Sequence, residues 1–246
     1  MIRVVVLGSK GRVGSQIVRG VRAARDLELA GEVDVGDDLA GVLARGRPQV
    51  AVDFTTPSAA EPNAEAALRA GAHAVVGTTG LEDTALRRLD TLARERRLAC
   101  IVAPNFALGA VLMMRFAEEA ARHFPWVEIV ERHHEGKVDA PSGTARLTAE
   151  RVAAARAAPK EPEGATEGAP GARGGRVAGV PVHSLRLPGS VAHQEVWFGG
   201  PGESLVLRHD AIDRAVYVPG VLLAVRRASL HVGLVQGLEA VLWPSR

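Results

Sequence analysis

Residues 2–25, IRVVVLGSKGRVGSQIVRGVRAAR, decide the fold. The run from Ile2 to Leu7 is dominated by β-branched residues, as a buried parallel strand requires. It breaks at Gly8-Ser9-Lys10-Gly11-Arg12-Val13-Gly14, and a helix is predicted over 15–25. Strand, glycine turn and helix together form the context of a phosphate-binding loop. The glycines let the backbone approach a pyrophosphate, whose charge then meets the positive end of the helix. The spacing is G-x-x-G-x-x-G rather than the commoner G-x-G-x-x-G, so by itself the loop is a weak signal. A second strand over 27–33 runs into Asp34, 20 residues past Gly14, where a carboxylate accepts from an adenosine ribose hydroxyl. Asp34 reads equally as part of an acidic turn with Asp37 and Asp38. A carboxylate there repels a 2′-phosphate, while Lys10 and Arg12 soften that repulsion. Both NADH and NADPH are expected to serve, NADH at least as well.

Working outward, strands are predicted over 49–54, 74–76 and 99–102, and helices over 61–70 and 81–97. The strand ends carry Asp53-Phe54-Thr55, Gly77-Thr78-Thr79-Gly80 and Ala103-Pro104-Asn105-Phe106. Alternating strand and helix give an α/β, Rossmann-like doubly wound parallel sheet, whose ligands bind at the carboxyl ends of the strands. Past Asn105 the pattern changes. A helix is predicted over 109–123, with Met113, Met114 and Phe116 as a core stripe. Strands follow over 127–133, 180–187, 191–198 and 203–210, then a helix over 218–233. The second domain is therefore α+β, with a mixed sheet of about four strands. The expected division is a dinucleotide-binding domain over 1–106, completed by 216–246, and a substrate-binding and oligomerisation domain over 107–215. Residues 159–175, PKEPEGATEGAPGARGG, read as an exposed, mobile loop.

The chemistry concentrates in residues 128–145, EIVERHHEGKVDAPSGTA. The stretch begins with strand alternation and ends as a helix start, with the helix predicted over 145–158. Between them lie His133, His134, Lys137 and Asp139. Neighbours in a strand point to opposite sides, so the two histidines take different jobs. Pro141-Ser142-Gly143-Thr144 offers unpaired N–H groups and the positive end of a helix dipole, a seat for an anion. A Ser/Thr helix start is also an ordinary cap. Imidazole, ammonium and helix N-terminus together suit a small carboxylate that gains a proton. Of the 30 Lys and Arg residues only Lys10, Lys137 and Lys160 are lysine, and two of the three fall in these two motifs. An ammonium can titrate where a guanidinium cannot.

The H-H-x-x-K and D-A-P-S-G-T elements, met here at every position, resemble the signature of the 4-hydroxy-tetrahydrodipicolinate reductases (dihydrodipicolinate reductases) of lysine and diaminopimelate synthesis. The resemblance runs across the whole chain, including HDAIDRAVYVPG at 209–220. It implies NAD(P)H-dependent reduction of a cyclic dicarboxylate imine, formed from 4-hydroxy-tetrahydrodipicolinate by loss of water. It implies His133 as general acid and Lys137 as second proton donor, with His134, Ser142, Gly143 and Thr144 on the substrate. It places Gly8 to Gly14, Asp34, Gly77, Thr78, Thr79, and Ala103 to Phe106 on the cofactor. Val35 stands where some relatives carry an arginine for the 2′-phosphate. The family's last helix returns to the first domain, and its members are typically homotetramers through the second-domain sheets.

Composition narrows the alternatives. The 246 residues carry a net charge of +2 and no Lys/Arg block or aromatic platform for nucleic acid. No apolar run approaches the roughly 20 residues that span a bilayer, and the N-terminus reads as a first strand, so the protein is expected to be cytoplasmic. The single cysteine, Cys100, excludes an internal disulfide and a cysteine-based zinc site. No metal is expected, because Glu131, His133, His134 and Glu135 cannot converge on one ion from a strand. Another NAD(P)-dependent amino- or imino-acid dehydrogenase, such as an aspartate dehydrogenase, would share the first domain without needing the second motif. A non-catalytic dinucleotide sensor would have no need of His133 and Lys137.

Overall fold

The computed structural model describes residues 1–156 and 166–243. The chain divides into two compact units, Met1–Leu108 with Arg214–Arg246, and Gly109–Asp213.

The first unit alternates strand and helix in the order β1 (Ile2–Leu7), α1 (Gly14–Ala23), β2 (Leu27–Val33), α2 (Leu39–Gly46), β3 (Val50–Asp53), α3 (Pro57–Arg69), β4 (His73–Val76), α4 (Asp83–Arg96) and β5 (Ala99–Val102). The second contains α5 (Leu108–Ala120), β6 (Trp126–His133), α6 (Gly143–Ala155), β7 (Gly175–Val177), β8 (Val180–Arg186), β9 (Ala192–Gly200) and β10 (Glu203–Ala211). The chain then rejoins the first unit with α7 (Val218–Arg227), β11 (Gly233–Gln236) and α8 (Leu238–Leu242).

In the first unit six parallel strands lie in the order β11-β5-β4-β3-β1-β2. Helices cover both faces, so the central strands are apolar throughout: Val4, Val5, Val6, Val52, Val75 and Ile101 are all sealed from solvent. Cys100 belongs to this core. The reversal of strand order beside β1 puts the Gly8–Gly14 turn at a switch point, where such sheets bind ligands.

The second unit's sheet has five strands, β10-β9-β6-β8-β7, one more than the sequence pattern suggests. It is mixed: β8 runs parallel to β6, and the other pairs are antiparallel. Helices α5 and α6 pack on one face through Met113, Ala117, Ala145, Ala149 and Val152 against Val127, Ile129, Val182, Val196 and Phe198. The other face exposes Trp126 and Trp197 at 38% and 44%, with Val206 beside them.

Several expectations need correcting. The extra strand β7 is only three residues long, and it takes Gly175, assigned to the loop, into the sheet. Residues 159–165 of that loop lie outside the described residues. Phe116 is 53% exposed and leaves the Met113–Met114 stripe, which is buried. Helix α2 has no counterpart among the elements predicted from sequence; Asp38 caps it by accepting from Gly41 N at 3.0 Å. The last helix stops at Arg227 rather than running to Gly233, whose φ of +87° starts a strand instead. That strand, β11, completes the first sheet beside β5. Among the described residues no helix is long and apolar enough to cross a membrane.

Gly220, buried in α7, sits so close to β5's following segment that a Cβ would lie 2.0 Å from the carbonyl oxygen of Phe106. A backbone oxygen cannot swing away, so Gly220→Ala is expected to cost about 1–3 kcal/mol of stability. Urea unfolding checks this. Gly175→Ala, where a Cβ meets nothing within 4 Å, is the control and should stay within about 0.5 kcal/mol of the parent.

Candidate active site

The first unit brings three strand-end loops to one cleft. It has a volume of about 390 Å³ and is lined by Gly11, Arg12 and Val13, by Gly77, Thr78 and Thr79, and by Phe54, Thr55, Pro57 and Arg214. The turn after β1 closes on itself with no room for side chains: a Cβ on Gly14 would lie 1.9 Å from Gly8 O, and one on Gly8 would lie 2.4 Å from Phe54 O. Gly8 itself has φ +76°. This tightness lets backbone rather than side chain approach a phosphate, so the residues fit a dinucleotide.

At the end of β2, Asp34 Oδ2 accepts from Lys10 N at 2.7 Å and Oδ1 from Val35 N at 2.9 Å. Those two N–H groups hold its carboxyl below its ordinary range. Asp37 also accepts from Asp34 N, so the acidic turn exists as well. Asp34 thus ties the glycine turn to the β2 loop. Val35 beside it is almost wholly exposed.

A buried carboxylate orders the other two loops. Asp53 accepts from the hydroxyls of Thr55 and Thr78, the latter at 2.7 Å, and from Asn63 Nδ2 at 2.8 Å. Thr78 Oγ1 in turn accepts from Thr55 N. The Thr78 side chain is therefore spent on loop shape, and its neighbours Gly77 and Thr79 remain on the cleft. Gly77 has no alternative, since a Cβ would lie 2.1 Å from the Phe54 ring. The Ala103–Phe106 segment follows β5 but does not line this cleft. Phe106 is buried with its ring 5.7 Å from that of Phe54, and Asn105 Oδ1 accepts from Ala107 N. Arg214 and Pro57 line the cleft and were not singled out from sequence; Phe54 and Thr55 also line it, and the sequence placed them at a strand's carboxyl end without assigning them a role. Arg214 lies in the HDAIDR stretch that the resemblance includes.

In the second unit, residues 131–142 gather around one carboxylate. Glu131, on the helix-covered face of β6, is fully buried at 0% exposure. Its Oε2 meets His133 Nδ1 at 2.5 Å, and its two oxygens accept from Arg186 Nη1 and Nη2 at 3.0 and 2.9 Å. Oε1 also accepts from Ser142 N at 3.2 Å. Arg186, at the end of the parallel neighbour β8, donates further to Lys137 O and Asp139 O. Strand, turn and helix start are thus fastened to one ion pair. Burial works to raise the Glu131 pKa, but hydrogen bonds from His133, Arg186 and Ser184 outweigh it and hold the carboxyl at about 2 instead of 4.5.

His133 ends β6, and His134 opens the turn that follows, its carbonyl accepting from Lys137 N. Lys137 Nζ donates to both oxygens of Asp139 at 2.7 and 2.9 Å, and that ammonium depresses the Asp139 pKa. Ser142 is buried and caps α6, its Oγ accepting from Ala145 N at 3.2 Å. The helix therefore starts two residues before the predicted position. Gly143 is exposed in the first turn, with open space where a Cβ would stand. Among the described residues, no group of three or more His, Cys, Asp or Glu is arranged to hold a metal. The sequence signal for Glu131 was available: it lies two residues before His133 on a strand, hence on the same face. Arg186, 55 residues away, gave none.

Comparisons with known proteins match both halves of the chain. The profile described as "Dihydrodipicolinate reductase, N-terminus" matches residues 2–106, and "Dihydrodipicolinate reductase, C-terminus" matches residues 109–242. A 4-hydroxy-tetrahydrodipicolinate reductase of Beutenbergia cavernae is 54% identical over 98% of both chains. One from Moorella thermoacetica is 47% identical over the same shares. Among solved structures, a dipicolinate-bound dihydrodipicolinate reductase from Paenisporosarcina sp. TG-14 superimposes with a TM-score of 0.89 at 38% identity, over 97% of this chain and 98% of its own. An amine dehydrogenase from Mycobacterium smegmatis, at 14% identity and a TM-score of 0.65, shares the fold alone.

Because Glu131 is ionised at lower pH in the folded chain than in the unfolded one, it adds stability above about 4.5 that is lost as pH falls toward 2. The loss should reach a few kcal/mol, on the order of 3 for a shift of this size. Urea unfolding between pH 6 and 2.5 should show this slope, and Glu131→Gln should flatten it; an equal slope in both proteins contradicts the assignment. With matching profiles over both halves and relatives of this identity along its full length, the chain belongs to the dihydrodipicolinate reductase family.

Proposed function

We propose that the chain reduces 4-hydroxy-tetrahydrodipicolinate to tetrahydrodipicolinate, with loss of water, and that the second-unit motif supplies the proton. The observation that carries this is the fixed His133 beside a Lys137 turn and the α6 start, all held by one buried ion pair. The bound reduced nicotinamide supplies a hydride. The Gly8–Gly14 turn and the α1 start would hold the pyrophosphate, Asp34 would accept from a ribose hydroxyl, and the Gly77–Thr79 loop would hold the nicotinamide end, with Phe106 backing the cleft through Phe54.

His133 is the general acid. A protonated imidazole that gives up its proton becomes neutral and leaves no charge on the ring. Lys137 pairs with a substrate carboxylate and is the second donor; Asp139 keeps its ammonium in position meanwhile. His134 contacts substrate. The first-turn N–H groups of Gly143 and Thr144 hold the other carboxylate, on a helix end that Ser142 caps. A dipicolinate, the ligand named for the Paenisporosarcina structure, presents two such carboxylates on a planar ring and suits the same arrangement.

Asp34 with Val35 in place of an arginine supports use of both cofactors, NADH at least as well as NADPH. Comparing kcat/KM for the two tests it; a 100-fold advantage for NADPH would sink this reading. His133→Ala should lose about 10²–10⁴ in kcat, or roughly 3–5 kcal/mol of transition-state stabilisation, with KM little changed. A kcat within threefold of the parent removes His133 from the acid role. Lys137→Ala should lower kcat and weaken substrate binding, and full rescue by Lys137→Arg would argue against proton donation. Both are read in a coupled assay, in which pyruvate and aspartate semialdehyde are condensed and nicotinamide oxidation is followed.

The open face of the five-stranded sheet, with Trp126 and Trp197 around a hollow of about 550 Å³, supports association with further copies into a homotetramer. Trp197→Glu should then lower the mass found by analytical ultracentrifugation; a parent chain that sediments as a monomer rules the assembly out. The cytoplasm, which holds reduced nicotinamide, is the place for this activity.

A further inference from the structure

We infer that Glu131, clamped by Arg186, is the positioning residue for His133: it holds the Nδ1 proton in one fixed hydrogen bond and leaves Nε2 as the nitrogen that exchanges a proton with substrate. The inference rests on the assignment of His133 as the proton donor.

The geometry limits what Glu131 can do. It is fully buried, and both of its oxygens are occupied, by Arg186 from β8, Ser142 N from α6 and His133 Nδ1 from its own strand. A carboxylate tied to three elements cannot drift, so the ring it holds cannot rotate away. An ionised carboxylate only accepts, which makes Nδ1 the donor in that 2.5 Å contact. Among the described residues nothing bonds His133 Nε2. The protonated ring carries a proton on each nitrogen. When the Nε2–H bond breaks and the proton joins the substrate, the ring becomes neutral with Nδ1–H already in its hydrogen bond. No proton has to move around the ring.

Arg186 decides what kind of influence reaches His133. Its bidentate pair with Glu131 neutralises the carboxylate's charge, so Glu131 acts mainly as a directional acceptor that selects a tautomer. Its other donors go to Leu185 O, Lys137 O and Asp139 O, so the same guanidinium fixes the turn that carries Lys137. A lysine could not fill five directed bonds.

Two measurements test this. In the wild-type enzyme with 15N-labelled histidine, the His133 ring, assigned by the signals lost in His133→Asn, should show Nδ1 as the protonated nitrogen of the neutral form. An Nε2–H tautomer would overturn the inference, and this readout does not depend on a variant folding. In steady state, Glu131→Gln can offer its ring partner either an oxygen or an NH₂ group. It should lose on the order of 10²-fold or more in kcat, with KM within about threefold. In a His133→Ala background the same change should cost no more than about twofold. An equal loss in both backgrounds means Glu131 merely supports the fold, and overturns the inference. If His133→Ala is impaired and Glu131→Gln is not, this inference alone fails. If His133→Ala keeps its kcat, the proton-donor assignment fails and takes the inference with it.

Discussion

A carboxylate with no access to water must find its partners in the protein, and Glu131 finds them in three separate elements. The desolvation of such a group costs several kcal/mol unless charge and hydrogen bonds replace the lost water. Arg186 supplies the charge and two of the bonds, and Ser142 N, His133 and Ser184 supply others. Removing any one of them leaves a buried charge short of a partner. The end of β6, the turn through Lys137 and the start of α6 are therefore set together. The chemistry of the motif follows from this, because imidazole, ammonium and helix N-terminus are all placed by one interaction.

The first unit solves a different problem by the opposite means. A pyrophosphate needs backbone N–H groups brought close, and side chains would stand in the way. The Gly8 and Gly14 positions are so tight that any Cβ would overlap a carbonyl oxygen. Here too a buried carboxylate stabilises loops, Asp53 tying Thr55, Asn63 and Thr78 together at the ends of β3 and β4. In both units a carboxylate near a strand end orders the loops around it.

The parts of the fold legible in sequence were those with strong local signals. β1 and β5 are short apolar runs bounded by glycine or proline, and both were located closely. The glycine turn, the two histidines and the Ser142 cap announced themselves by residue type and spacing. What escaped was either short or non-local. β7 has three residues, too few for a pattern. β11 follows a helix of similar apolar composition, and only Gly233 at φ +87° marks the change. α2 has only eight residues and carries Gly41 and Gly46, too weak a helical signal to register. Phe116 shares the spacing of the buried methionines yet faces solvent, which a stripe of apolar letters cannot reveal. Arg186 is brought to its site by folding alone, and Arg214 stood inside the HDAIDR stretch without any role attached to it. The register of β6 against β8, which pairs His133 with Arg186, had to be seen.

The proposed chemistry requires His133 and Lys137 to be the groups that act on a ring dicarboxylate. A co-crystal of the chain with a reduced nicotinamide cofactor and dipicolinate measures this directly. The expected result is His133 Nε2 and Lys137 Nζ within hydrogen-bonding reach, about 3 Å, of the ring acid, with the Glu131–His133 contact unchanged. A ring acid bound elsewhere, with both side chains turned to bulk water, would contradict it.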